Sequence, residues 1–85
     1  MSVTTPEWLA KHGGELRRAT VPDTWLVLVG DEPQYRLVPV PAGGKFTCQV
    51  TQTNNGKRLD RGGLFPTEED ALRGGLEDLR VALGW

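Results

Sequence analysis

Leu72, Leu76, Leu79 and Leu83 recur at steps of four, three and four near the end of the chain, the spacing that lines one face of a helix. Glu69, Arg73, Glu77 and Arg80 form an alternating-charge stripe away from the leucines, each neighbouring pair adding about 0.2–0.5 kcal/mol. Thr67 is placed to cap this helix, with Asp70 three positions on completing an approximate capping box, and Glu68 and Glu69 suit the positive end of its dipole. Gly84 stops it, and Trp85 then falls where a side chain folds back on the last turn. Gly74-Gly75 sits inside this helix at a cost of about 2 kcal/mol relative to alanines. With Ala71 and Ala82 the pair makes a flat strip beside the leucines. Such a strip either admits a sheet to close packing or leaves a groove for a partner's side chain.

Upstream the period changes to two. Phe46, Cys48 and Val50 alternate with Lys45, Thr47, Gln49 and Thr51, which predicts a strand over 45–53 with one wet face. Thr24 to Val29 is β-branched, aromatic and apolar at both parities, as in a strand covered on both sides or lying centrally. Gln34 to Val40 reads as a further strand, and Pro39 and Pro41 place its far end along a sheet edge. Gly30-Asp31-Glu32-Pro33 and Ala42-Gly43-Gly44 supply turns. Asn55-Gly56 predicts a two-residue hairpin into a fourth strand, with Thr53 facing Arg58, Thr51 facing Asp60 and Leu59 inward beside Val50. A three-residue loop would shift that register by one and swap the faces.

At the start, Thr4 or Thr5 can cap a short helix with Pro6 in its first turn, and Trp8, Leu9 and His12 then form its apolar face. Gly13 is suited to end it, although the pattern equally admits a helix that continues through Gly14 to Arg18. Together the elements predict a single α+β domain over residues 1–85: a short N-terminal helix, an antiparallel meander of three or four strands, and a C-terminal helix packed on one face of the sheet.

Composition narrows the function. The chain has 85 residues, 38% hydrophobic and 25% charged, the balance of a globular protein rather than a disordered one. The longest apolar run, Trp25 to Val29, is far short of the ~20 residues that cross a membrane as a helix. No basic stretch followed by an apolar one marks a signal peptide, so the expected location is cytoplasmic and no membrane partner is expected. One cysteine and one histidine supply neither an internal disulfide nor a Cys/His zinc site, and no metal or cofactor is expected. Cys48 falls at an inward parity and reads as core. His12 reads as a helix-end residue rather than a general base. The glycine pairs match neither the dinucleotide-binding nor the P-loop pattern, so a non-enzymatic protein is expected.

The net charge of −1 is unevenly spread. Residues 45–61 carry Lys45, Lys57, Arg58 and Arg61 against Asp60, whereas residues 66–85 carry five acids against two arginines. A mildly basic ribbon therefore opposes an acidic helix.

From Gly44 to Ala71 the chain resembles the plant AP2-type and phage integrase-arm-type DNA-binding modules. Gly44-Lys45-Phe46 opens a strand, Asn55-Gly56-Lys57-Arg58 makes the hairpin, and Phe65, Thr67, Glu69 and Ala71 lead into the helix. That resemblance implies a sheet laid in the DNA major groove, with Lys45, Thr47, Gln49, Thr51 and Arg58 as the reading side chains. The helix–strands–helix order is also similar to double-stranded RNA-binding domains. Those bind phosphate through lysines at the start of the final helix, where this chain has Thr67-Glu68-Glu69-Asp70; duplex RNA is therefore not the expected ligand. Three tryptophans in so short a chain favour a protein partner, because tryptophan is enriched at interface hot spots, and Trp85 joins the candidate contact residues. An uncovered edge on the Thr/Gln strand would add β-augmentation to the possibilities. The expected function is protein binding as an adaptor, inhibitor or subunit, with weak nucleic-acid binding through the outer sheet face as the alternative.

Overall fold

A computed structural model describes residues 3–85. The elements run α1 (Glu7–Lys11), β1 (Gly14–Arg18), β2 (Trp25–Val29), β3 (Glu32–Ala42), β4 (Lys45–Gln52) and α2 (Glu68–Leu83). The strands form one antiparallel sheet in the order β1-β2-β3-β4, and α2 packs on β3 and β4. This is the expected α+β architecture.

The leucine stripe is the reason α2 lies where it does. Leu72, Leu76 and Leu79 are buried, and Leu83 packs against the same cluster. They meet Leu37, Cys48 and Val50 on the sheet, while Leu9, Leu16, Trp25 and Val27 extend the core toward α1. Thr67 caps α2 by accepting a hydrogen bond from the Asp70 amide at 3.1 Å. At the other end Gly84 is left-handed (φ 72°); its amide donates to Val81 and that of Trp85 to Arg80, the paired bonds of a Schellman motif.

The Gly74-Gly75 question is resolved inward. A Cβ on Gly75 would stand 2.9 Å from Cys48 Cβ and 3.3 Å from Leu37 Cδ2, and one on Gly74 would strike the Phe65 ring. The helix approaches the sheet more closely than an alanine would permit.

Three expectations need correction. The fourth strand is β1, not the segment after Asn55-Gly56. α1 ends before Gly13, whose φ of 73° suits glycine, and the chain turns straight into β1, which pairs with β2 from Gly14↔Val29 to Arg18↔Trp25. The N-cap of α1 is Pro6, with no side-chain cap bond. Thr5 instead accepts the Leu16 amide with its hydroxyl at 3.1 Å, satisfying a donor on the outer edge of β1.

Asn55-Gly56 does not form a two-residue turn. The Gln52 amide donates to Lys57 O and the Gly56 amide to Gln52 O, while Asn55 Oδ1 accepts the Lys57 amide at 2.9 Å. Thr51 therefore bridges Arg58, a shift of two from the expected register. An even shift preserves the faces, so Leu59 still turns inward and packs on the core. The tight hairpins with positive φ at both central residues lie at Gly30-Asp31 (62° and 65°) and Gly43-Gly44 (56° and 82°), the geometry whose twist matches the flanking strands. Pro33 is accommodated by a register shift: Val27 pairs with Tyr35 but Leu28 with Pro33, leaving Gln34 as the extra residue.

Candidate functional site

The β3–β4 register decides which side chains share the face away from α2. Leu37, Pro39 and Pro41 oppose Val50, Cys48 and Phe46 on the helix side; Arg36, Val38, Val40 and Ala42 oppose Thr51, Gln49, Thr47 and Lys45 on the other. Leu26 sits opposite Arg36 from β2, and Arg17 opposite Leu26 from β1. The bridge between Thr51 and Arg58 adds Arg58 at the margin. Lys45, Thr47, Gln49, Thr51 and Arg58 thus lie together on the outer face, as the sequence pattern requires.

Alternation along one strand does not reveal the aliphatic centre of this face. Leu26, Val38 and Val40 are partly exposed and take no part in the core cluster. Leu28, also at outer parity opposite Glu15, is buried yet lies outside that cluster. The face is therefore an aliphatic stripe framed by Thr47, Gln49 and Thr51 along one side and by cations at its ends.

Those cations are not equally free. Arg17 pairs with Glu15 at 3.0 Å. Arg58 makes a two-pronged contact with Asp60, Nε to Oδ1 at 2.6 Å and Nη2 to Oδ2 at 2.9 Å. Asp60 Oδ1 also accepts the Val50 amide at 3.1 Å. The Arg58 guanidinium, helped by that amide and opposed by partial burial, holds the Asp60 carboxyl below its ordinary range. Among the described residues the ion pairs are Arg17–Glu15, Arg58–Asp60, Arg73–Glu69 and Arg80–Glu77; Arg36 and Lys45 belong to none of them.

The strap on β4 and two prolines on β3 close those sides of the sheet, and on β1 one donor is taken. Residues 57–65 form a strap along β4: Leu59 N–H donates to Val50 O, Phe46 and Phe65 exchange amide bonds at 2.8 and 2.7 Å, and the Asp60 carboxylate takes the Val50 donor. Asp78 anchors the middle of the strap by accepting the Arg61 amide at 3.0 Å. β-augmentation on the Thr/Gln strand is thereby blocked. β3 runs past the end of β2, and the backbone groups that turn toward this open side belong to Pro39 and Pro41, which have no N–H to offer. On β1 the Thr5 hydroxyl occupies the Leu16 donor.

Trp85 lies apart from the outer face. Its ring stacks on His12 with centroids 4.1 Å apart and meets Trp8 edge-on at 6.3 Å. His12 Nδ1 donates to Trp8 O at 2.8 Å, closing the last turn of α1. The ring, at the end of α2, thereby also joins α1 to the core. Beside this junction the segment Val3–Trp8 and the Arg73–Glu77 stretch of α2 enclose a shallow cleft of about 360 Å³.

Cys48 is core, as expected. Burial, then the nearby negative charges of Asp60 and Asp78, push its thiol up to about 12, so it stays protonated and unreactive at neutral pH. Among the described residues no helix is long and apolar enough to cross a membrane. No protein-family model, curated protein or solved structure matches this chain.

Proposed function

We propose that this chain is a non-enzymatic binding module that engages another protein through the outer face of its sheet. One observation carries the reading: Leu26, Val38 and Val40 occupy the middle of a face that no other element among the described residues covers, outside the core and framed by polar and cationic side chains. An apolar centre inside a polar rim is the anatomy of a protein interface. Strands ~4.8 Å apart, two of them short, give this face roughly 500–600 Å². That is below the ~800 Å² per partner of a standard interface, so the complex is expected to be transient.

The alternative, weak nucleic-acid binding on the same face, is favoured by the co-location of Lys45, Thr47, Gln49, Thr51 and Arg58. It is weakened by Asp60, which already engages Arg58, and by the aliphatic centre where a duplex would present phosphates. Amide shifts of the labelled chain separate the two. Protein binding predicts a footprint centred on Val38, Val40 and Gln49 that survives moderate salt and is lost in Val38→Asp. If a 12-base-pair DNA duplex shifts the same amides, with an affinity that collapses as salt rises, the alternative replaces it.

A further inference from the structure

The outer face has a charge pattern and a length, and together they constrain what can lie on it. Arg36 and Lys45 take part in none of the ion pairs among the described residues, and both are exposed. Lys45 is the register partner of Ala42, six residues beyond Arg36 along β3. At about 3.3 Å per residue the two cations stand some ~20 Å apart, with Val38 and Val40 on the line between them. The acids at outer parity are Glu15 and, at the margin, Asp60, bonded already to Arg17 and Arg58. The face is thus an aliphatic track with an uncommitted positive charge at each end.

The closed sides of β3 and β4 constrain how a partner arrives. An added strand needs a row of free backbone donors and acceptors. Here the strap covers β4, two prolines remove the donors from the projecting part of β3, and Thr5 takes a donor of β1. Along β3 and β4, where the cations and valines lie, a partner must therefore rest on the face rather than join an edge. A sheet face takes a helix well, as the inner face takes α2. Spanning ~20 Å requires about 13 helical residues.

Resting on the reading of this face as a protein-binding surface, we propose that its partner is an acidic amphipathic helix of about four turns, seated along Val38 and Val40 with a carboxylate near each end to meet Arg36 and Lys45. Leu26 widens the track on the Arg36 side. Charge complementarity selects the sign of the helix, and the aliphatic centre supplies the contact that salt does not screen.

The test uses the full chain and two side-chain-stapled 16-residue helical peptides with identical leucine stripes. One carries glutamates near its two ends, the other lysines at the same places. The glutamate peptide is expected to shift the amides of Arg36, Val38, Val40, Thr47 and Gln49. Its affinity should fall at least tenfold in Arg36→Glu/Lys45→Glu, a double variant of exposed residues whose unchanged melting curve establishes that it folds. The lysine peptide should bind that double variant more tightly than the unaltered chain. Equal binding of both peptides to the unaltered chain, or no effect of charge reversal, overturns the acidic-helix inference while leaving the face as a protein-binding surface. If neither peptide binds at millimolar concentration, the helical partner is wrong. If the shifts map instead to α2 or to the cleft beside Val3–Trp8, the reading of the face fails with it.

Discussion

Replacing Gly75 by alanine tests the close approach of α2 to the sheet. In a helix interior facing open space the change would stabilise by about 1 kcal/mol, because alanine has the higher helix propensity. Here the added methyl would stand 2.9 Å from Cys48 Cβ and 3.3 Å from Leu37 Cδ2, and would press on Cys48 Sγ as well. Carbon atoms prefer separations of about 3.5–4.0 Å, so α2 must retreat by roughly 0.5–1 Å. A retreat of that size forfeits a quarter to a half of each affected dispersion contact, and the whole Leu72, Leu76 and Leu79 row shares it. Overpacking of this kind costs about 1–3 kcal/mol. Against the propensity gain, the expected net loss is up to about 2 kcal/mol, a fall in Tm of up to roughly 8–16 °C for a domain of this size. Urea melts of Gly75→Ala, Cys48→Ala and the double variant give the coupling. Removing Sγ relieves part of the clash, so the double variant should lose less than the two single variants together. An increase in the stability of Gly75→Ala would refute the packing argument.

Asp60→Ala should cost about 1–3 kcal/mol, because the Val50 amide loses its acceptor and Arg58 its partner; a urea melt within experimental error of the unaltered chain would contradict it. The Asp60 carboxyl is held below its ordinary value when folded. Its contribution is therefore present above the unfolded pKa and lost as pH falls through the folded one, and Asp60→Asn should show a shallower acid limb in a pH series of melts. Cys48 has the opposite sign. Its thiol is raised to about 12 from an unfolded value near ~8.5, so its contribution is complete below the unfolded value and lost as pH climbs toward the folded one. Cys48→Ala should flatten that alkaline decline, and iodoacetamide should label Cys48 at neutral pH only as fast as the chain unfolds. Trp85→Ala removes the stack on His12 and the edge contact to Trp8; a loss of about 1–2 kcal/mol and faster amide exchange over Glu7–Lys11 are expected.

The elements that were legible in the sequence are those with a repeated signal. α2 carries a four-leucine stripe with caps at both ends, and β4 carries a strict alternation; both stand where their patterns place them. Pro39 and Pro41 read correctly as edge residues because a missing N–H has one structural meaning in a strand. β1 was opaque because only Leu16 among its five residues is buried, too little for any period to show. The hairpin after β4 was misread for a tertiary and a local reason. The Asp60 carboxylate takes the Val50 donor from ten residues away, which no turn dipeptide encodes, and Asn55 adds a local Asx turn to the Lys57 amide that competes with the two-residue form. For the candidate site, parity placed Lys45, Thr47, Gln49 and Thr51 together from one strand alone. Leu26, Val38 and Val40 were missed because their face depends on cross-strand register and on the bulge at Gln34.

α2 packs on one face of the sheet, and the proposed function requires the other face to be bare. Paramagnetic broadening of methyl signals by an inert, soluble gadolinium chelate reads that asymmetry in the free protein. Strong broadening of Leu26, Val38 and Val40 is predicted, with Leu37, Val50, Leu72 and Leu79 left sharp. Val38 and Val40 methyls as protected as that of Val50 would show the outer face already covered, and would contradict the claim that it awaits a partner.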